Sequence, residues 1–192
     1  SENSYQNIVV SRNMLNNTSS RYKDLVETPE NLLLDYSSFE AENKFRFEHT
    51  YNKNGWRINA GLGYEYARYY NSTYNNVTVQ GQPVVIDYES NLYLSKFALF
   101  SQVSKDYFNE KLLTSFGIRT DFSNYSKSLS NPLEQLSPSL SLSYRLSEAL
   151  SVNANISRYH QLPSYTILGY RDGDNNLVNL NNDVKYIRAD HM

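Results

Sequence analysis

The sequence predicts an all-β chain, an antiparallel up-and-down meander that forms part of a transmembrane β-barrel, and three observations carry that reading. Between Phe39 and His160 there are about six stretches in which apolar and polar residues alternate, the pattern of strands wetted by lipid on one side and by water on the other. Stretches of about 11 to 13 residues, rising roughly 3.3 Å each and tilted near 45°, cover about 25 to 30 Å, the height of a hydrocarbon layer. The connections are alternately short and long, and aromatic residues stand beside the short ones, as at the two ends and interfacial belts of an outer-membrane barrel.

The first clear strand is Phe39 to Tyr51, whose even positions carry Glu40, Glu42, Lys44, Arg46 and Glu48 against mostly apolar odd positions. A period of two rather than 3.6 excludes an amphipathic helix. It ends at Asn52-Lys-Asn-Gly55, where Asn-Gly supplies the positive φ of a tight hairpin. From Trp56 the apolar parity resumes through Ile58, Ala60, Leu62, Tyr64 and Tyr66. Residues 71–91 are expected as a long connection holding a projecting hairpin around Gly81-Gln-Pro83. The third strand, about Leu92 to Tyr107, sets Phe97, Leu99 and Val103 against Lys96, Gln102 and Asp106, with Phe100 out of pattern. A turn near Phe108-Asn-Glu110 leads into Leu112 to Phe122, and a loop over 123–135 leads into Leu136 to Leu146, the strictest alternation present. Ser147-Glu-Ala149 turns the chain into Leu150 to His160, where Arg158 falls on the apolar parity and is expected to snorkel at a rim. A long loop over 161–185 precedes a strand that begins at Tyr186. Residues 1 to about 38 are least legible: Ile8-Val-Val10 fits one end of a strand, and Asn13 to Ser20 reads as loop.

Belts are expected from Tyr51, Trp56, Tyr107 and Tyr144 at the short-turn end and from Tyr64, Tyr66 and Phe122 at the other. A soluble β-sandwich also alternates. The polar members of the dry parity, Asn43, His49, Ser95, Ser101 and Thr114, and the unequal loop ends favour the barrel.

Composition narrows the function classes. The chain has 192 residues, 40% of them hydrophobic, with 18 Tyr and a mean hydropathy of -0.63. It is too rich in rings for disorder, and it has no apolar run of the roughly 18 residues that a membrane helix requires. A net charge of -2 with dispersed Lys and Arg argues against nucleic acid. With no Cys there is neither a disulfide framework nor a thiolate metal site. The start at Ser1, without a signal segment, is expected of an excised piece.

At Gly117-Ile-Arg-Thr-Asp-Phe-Ser-Asn-Tyr125, Leu136-Ser-Pro-Ser-Leu-Ser-Leu-Ser-Tyr144, Tyr159-His-Gln-Leu-Pro-Ser-Tyr165 and Lys185-Tyr-Ile-Arg-Ala-Asp-His191 the chain resembles the barrel of TonB-dependent outer-membrane receptors, in style the Bacteroidetes type. A Gly-aliphatic-Arg-x-Asp strand end, a Ser-Pro-anchored strand and a Leu-Pro loop opening recur there in this order. The ordered set covers about residues 90–192. The resemblance implies a bacterial outer-membrane receptor that imports a scarce nutrient such as an iron chelate, a cobalamin or a glycan fragment. It also implies three partners: outer-membrane lipid, the small ligand, and a TonB complex acting through a plug region. No plug domain is recognisable in the sequence. Barrels of this kind have about 22 strands, so the chain is expected to be a wedge of the wall, partial barrel over 1–192, and not a transporter alone. A small porin-like barrel and a soluble β-rich adhesin or sugar-binding module are the alternatives.

The residues give no catalytic, metal or cofactor site, and the chain is expected not to be an enzyme. His49, His160 and His191 have no neighbour at metal-ligand spacing. Asp172-Gly-Asp-Asn-Asn176 places Asp172, Asp174 and Asn176 as a calcium loop would, but the sixth position is Leu177 and the twelfth Asp183, so a polar turn is the better reading. The Glu40, Glu42 and Glu48 series, balanced by Lys44 and Arg46, reads as a solvated lumen ladder. His160 and Ser164 are the one pair that an outer-membrane phospholipase reading would use. Tyr69-Tyr-Asn71, Tyr74-Asn-Asn76 and Tyr165 are types that stack on sugars, as rim residues also are; the substrate-binding residues are unknown at this level.

Overall fold

The structure is a computed structural model and describes residues 3–192. It contains one eight-stranded antiparallel sheet in which each strand pairs with the next. The strands are β1 (Ser4–Tyr22), β2 (Leu32–Lys53), β3 (Trp56–Val79), β4 (Gln82–Tyr107), β5 (Leu112–Ser123), β6 (Ser137–Arg145), β7 (Ser151–Gln161) and β8 (Ile187–His191). Two single-turn helices, α1 (Tyr165–Leu168) and α2 (Val178–Asn181), lie in the β7–β8 connection. β1 and β8 form the open edges. No helix of the described residues is long and apolar enough to cross a membrane.

Local chemistry sets the register. Asn54 (φ 52°) and Gly55 (φ 73°), like Gln80 (φ 51°) and Gly81 (φ 81°), form two-residue turns with positive φ at both central positions, which match the twist of paired strands. The first pairs Lys44 with Glu65, and the second pairs Glu65 with Lys96. All side chains along such a row share one face.

One face is apolar and uncovered. Its rows include Tyr51, Ile58, Val103, Phe116, Leu140 and Ile156, each paired with the next. Leu62 remains 42% exposed, Leu99 51% and Phe116 53%. A soluble two-layer sheet would seal these side chains, and among the described residues no second layer does. The opposite face carries the Glu40 to Glu48 series, Glu65, Lys96 and the serines of β6. Phe100 belongs to this face: it lies opposite Gly61, where a Cβ would come within 2.5 Å of its ring. The Arg46 guanidinium stands 4.8 Å from the centroid of that ring. The missing side chain at Gly61 makes room for the aromatic among polar neighbours.

Three segments differ from expectation, the first being the start of β2, which lies at Leu32 and not at the expected Phe39. Asn13 to Ser20 is strand, paired with residues 35–42 of β2. Residues 71–91 are ladder-paired up to the Gln80-Gly81 turn, so β3 and β4 run on where a long connection was expected. These stretches lie beyond the outward apolar rows, where no bare apolar face enforces alternation. Arg158, on the apolar parity, donates from Nε to Asp190 on β8 (2.7 Å).

Candidate functional site

The water-facing side of β2, β3 and β4 holds a four-charge cluster built by register alone. Lys44 Nζ is 2.7 Å from Glu42 Oε2 and 3.4 Å from Glu65 Oε2. Lys96 Nζ is 3.3 Å from Glu42 Oε1 and pairs closely with Glu65. The four side chains are 19% to 37% exposed, so the cluster contributes modestly through charge and acts chiefly as a geometric socket.

Tyr165 fills that socket. It enters from α1 in the β7–β8 connection, accepts a hydrogen bond from Lys96 Nζ (2.6 Å) and donates its phenolic proton to Glu42 Oε1 (2.5 Å). Burial, followed by the hydrogen bond to Glu42, raises the Tyr165 phenol above its ordinary value, which keeps it a donor. Its ring packs at 5.7 Å from that of Tyr69.

Around this contact lies the chain's buried core: Ala67, Tyr69, Leu92, Leu94, Tyr125, Leu129, Tyr165 and Leu168. The core is therefore on the wet face, where the long connections fold down onto the upper parts of β3 and β4. The Tyr125 hydroxyl donates to the Leu168 carbonyl (2.5 Å). Gly169 sits so close to Tyr69 that a Cβ would come within 3.0 Å of its ring, while its carbonyl accepts from Ser90 Oγ. The two long connections are tied together: Asp183 accepts from the Ser128 amide (2.8 Å) and hydroxyl (2.6 Å), and Ser126 Oγ donates to the Val184 carbonyl (3.3 Å).

The Ser128 hydrogen bonds hold the Asp183 carboxyl below its usual range. A depressed folded value means that the contact stabilises at neutral pH and is lost as pH falls through that value, below about 3.9. Pepsin nicking within 124–136 is expected to rise steeply between about pH 4 and pH 2. In Asp183→Asn the two loops are loosened already at the upper end, and the pH dependence flattens. An unchanged profile in that variant would sink the assignment.

A cavity of about 450 Å³ lies beside the socket, bordered by Arg46, Phe100, Arg119, His160 and Tyr186 and also by Val9 of β1. The sheet is thus curled enough for β1 and the end of β7 to border one space. Each cation on its wall has a carboxylate: Arg46 pairs with Glu48, and Arg119 grips Asp121 through two hydrogen bonds of 2.6 and 2.5 Å. Burial, and then Asp121, push the Tyr186 phenol up to about 12, so it too stays protonated.

The remaining candidates are placed as follows. His160 Nδ1 is 3.0 Å from Ser137 Oγ, whereas Ser164 is exposed at the start of α1, so the phospholipase pair is not assembled. His191 Nδ1 lies 3.3 Å from Asn155 Oδ1, His49 lies on β2, and no metal-holding cluster exists among the described residues. Asp172 Oδ1 accepts from the amides of Asp174 (3.1 Å) and Asn176 (2.8 Å), which closes an Asx-type turn and lowers the Asp172 carboxyl. With Asp183 given to Ser128, both ends of the would-be calcium loop are occupied. Tyr69 and Tyr165 are 1% and 8% exposed and Asn71 1%; the two tyrosines hold the β7–β8 connection, Asn71 donates to Thr73 on its own strand (2.8 Å), and none of the three offers a free sugar-stacking surface. The meeting of Glu65 and Lys96 with Tyr165 was missed in the sequence, although the Asn54-Gly55 turn alone pairs residue 44 with 65.

A family model described as TonB dependent receptor-like, beta-barrel, matches residues 2–190. No curated protein and no solved structure matches the chain. A match over nearly the whole chain agrees with an open meander whose apolar face is bare and whose loops fold over the wet one: this chain belongs to the TonB-dependent-receptor-like β-barrel family.

Proposed function

We propose that the chain is a wall segment of a bacterial outer-membrane receptor that imports a small, scarce nutrient, an iron chelate, a cobalamin or a glycan fragment, with energy from a TonB complex acting through a plug region. The observation that carries this reading is the asymmetry of the sheet. One face is a bare, mainly apolar surface with scattered polar residues such as Ser95, Ser101 and Thr114, and the other holds paired charges and hydroxyls. Lipid outside and water inside satisfy both at once. Members of this family are transporters, and the chain takes a non-catalytic role in that reading. The cavity wall is neutral pair by pair, so uptake here selects by shape and hydrogen bonding more than by net charge.

Uptake tests the reading in cells carrying the whole receptor. Labelled ferric chelates, cobalamin and oligosaccharides are supplied with and without an uncoupler. Import of one class should collapse when the proton gradient is dissipated. Energy-independent entry of all three would favour a porin-like pore.

The wall placement has its own check, made simple by the absence of Cys in this segment. An environment-sensitive dye on Leu99→Cys should emit blue-shifted and be quenched by brominated lipid. The same dye on Ser141→Cys, from the opposite face, should report water. Equal behaviour at the two positions would exclude the wall.

A further inference from the structure

The outward apolar band is bordered by a cation at each end. From Ile58 to Tyr66 on β3 and from Val103 to Ser95 on β4, every outward residue is uncharged. At the short-turn border Lys105 Nζ stands 5.0 Å from the Trp56 ring centroid. At the other border the first outward charge on β3 is Arg68, whose guanidinium lies 5.9 Å from the Phe39 ring and 5.7 Å from the Tyr93 ring.

Arg68 is exposed, and among the described residues no carboxylate pairs with it or with Arg12. The next outward carboxylate on β4, Glu89, is four residues beyond Tyr93, away from the band. Arg12 faces outward opposite Asn43, which is opposite Tyr66. It is thus two strands and one rung from Arg68, roughly 12 Å between Cα atoms, a spacing that two arginine side chains can bridge through one bound group. Twelve residues separate Trp56 from Arg68; at about 3.3 Å each and a tilt near 45° that is about 28 Å, just past an apolar band about 25 Å tall. A fork of N–H donors held between two rings is shaped for a tetrahedral oxyanion. At this depth the available oxyanions are those of lipid headgroups.

We propose that Arg68, together with Arg12, binds the phosphate group of a lipid headgroup in the leaflet on the long-loop side. The proposal rests on the wall reading, because only there does Arg68 meet headgroups.

The test uses the whole receptor in detergent, titrated with phosphatidic acid, with the matching diacylglycerol and with inorganic phosphate, and bound lipid is counted by native mass spectrometry. Phosphatidic acid should be retained by the wild type and diacylglycerol not. The double variant Arg12→Gln/Arg68→Gln should need at least about tenfold more phosphatidic acid, and Arg68→Lys, which keeps the charge but not the fork, should fall between. Equal retention by the double variant overturns the site. So does full competition by inorganic phosphate, which would make it a free-anion site. A dye on Leu99→Cys in the same preparations separates the two readings: lipid burial kept while retention is unaffected by the arginines sinks the site alone, and lost burial sinks both.

Discussion

Replacing Tyr165 by alanine is expected to free the β7–β8 connection and, with it, the β5–β6 connection. The side chain supplies a ring packed on Tyr69 and a hydroxyl set between Lys96 and Glu42. Removing a buried aromatic costs about 3–5 kcal/mol. Tyr165→Phe keeps the ring and should cost about 1 kcal/mol, because Lys96 and Glu42 still face one another and only the bridging hydroxyl is lost. Hydrogen exchange is the measurement. In Tyr165→Ala, residues 162–186 and 124–136 should lose protection together, since Ser128 and Asp183 join them, while the amides of β2 to β4 below the socket stay protected. Loosening of 162–186 alone would mean that the loops are independent bodies. Uniform loss across the sheet would mean that the loops hold the strands rather than the reverse.

The same cluster explains why so much of the fold, and so little of this site, can be read from the residues. Where hydrocarbon meets one face and water the other, the sequence must alternate, and the strand from Leu112 to Phe122 is legible almost to the residue, while Phe39 to Tyr51 is the alternating part of a β2 that begins at Leu32. Beyond the band no hydrocarbon-facing side enforces alternation. There Asn13 to Ser20 carries Asn, Thr and Ser on either parity and passes for loop, although it is paired along its length. The segment 71–91 fails for the same reason. Its turn is Gln80-Gly81, one residue earlier than the Gly81-Gln-Pro83 group suggests, and that single step decides whether Glu65 meets Lys96. The socket therefore needed two registers and the path of a connection more than a hundred residues away from Glu42 in the chain. Parity supplied the face, the Asn54-Gly55 turn supplied the first register, and nothing local announces that Tyr165 turns inward.

Leu62→Arg is expected to be the most damaging substitution on the outward face. Leu62 lies midway between Trp56 and Arg68 on β3, paired with Phe47 and Leu99 and 42% exposed, so in a bilayer its side chain points into the centre of the hydrocarbon. Arginine at the midplane of a barrel costs about 2–4 kcal/mol, falling toward zero near the interfaces. The comparison that isolates lipid from strand propensity is Gln102→Arg, an exposed residue of the opposite face on the neighbouring strand. There the new cation stays in water, and the change should be within about 0.5 kcal/mol. Urea unfolding of the whole receptor in vesicles, followed by heat-modifiable gel mobility, reads both variants against the wild type. In a soluble sheet the order would weaken or reverse, because Leu62 is already partly open to solvent and an arginine there would stay hydrated. A large loss at 62 with none at 102 is thus a property of the solvent on each side. Equal effects would remove the physical basis for placing hydrocarbon against this face.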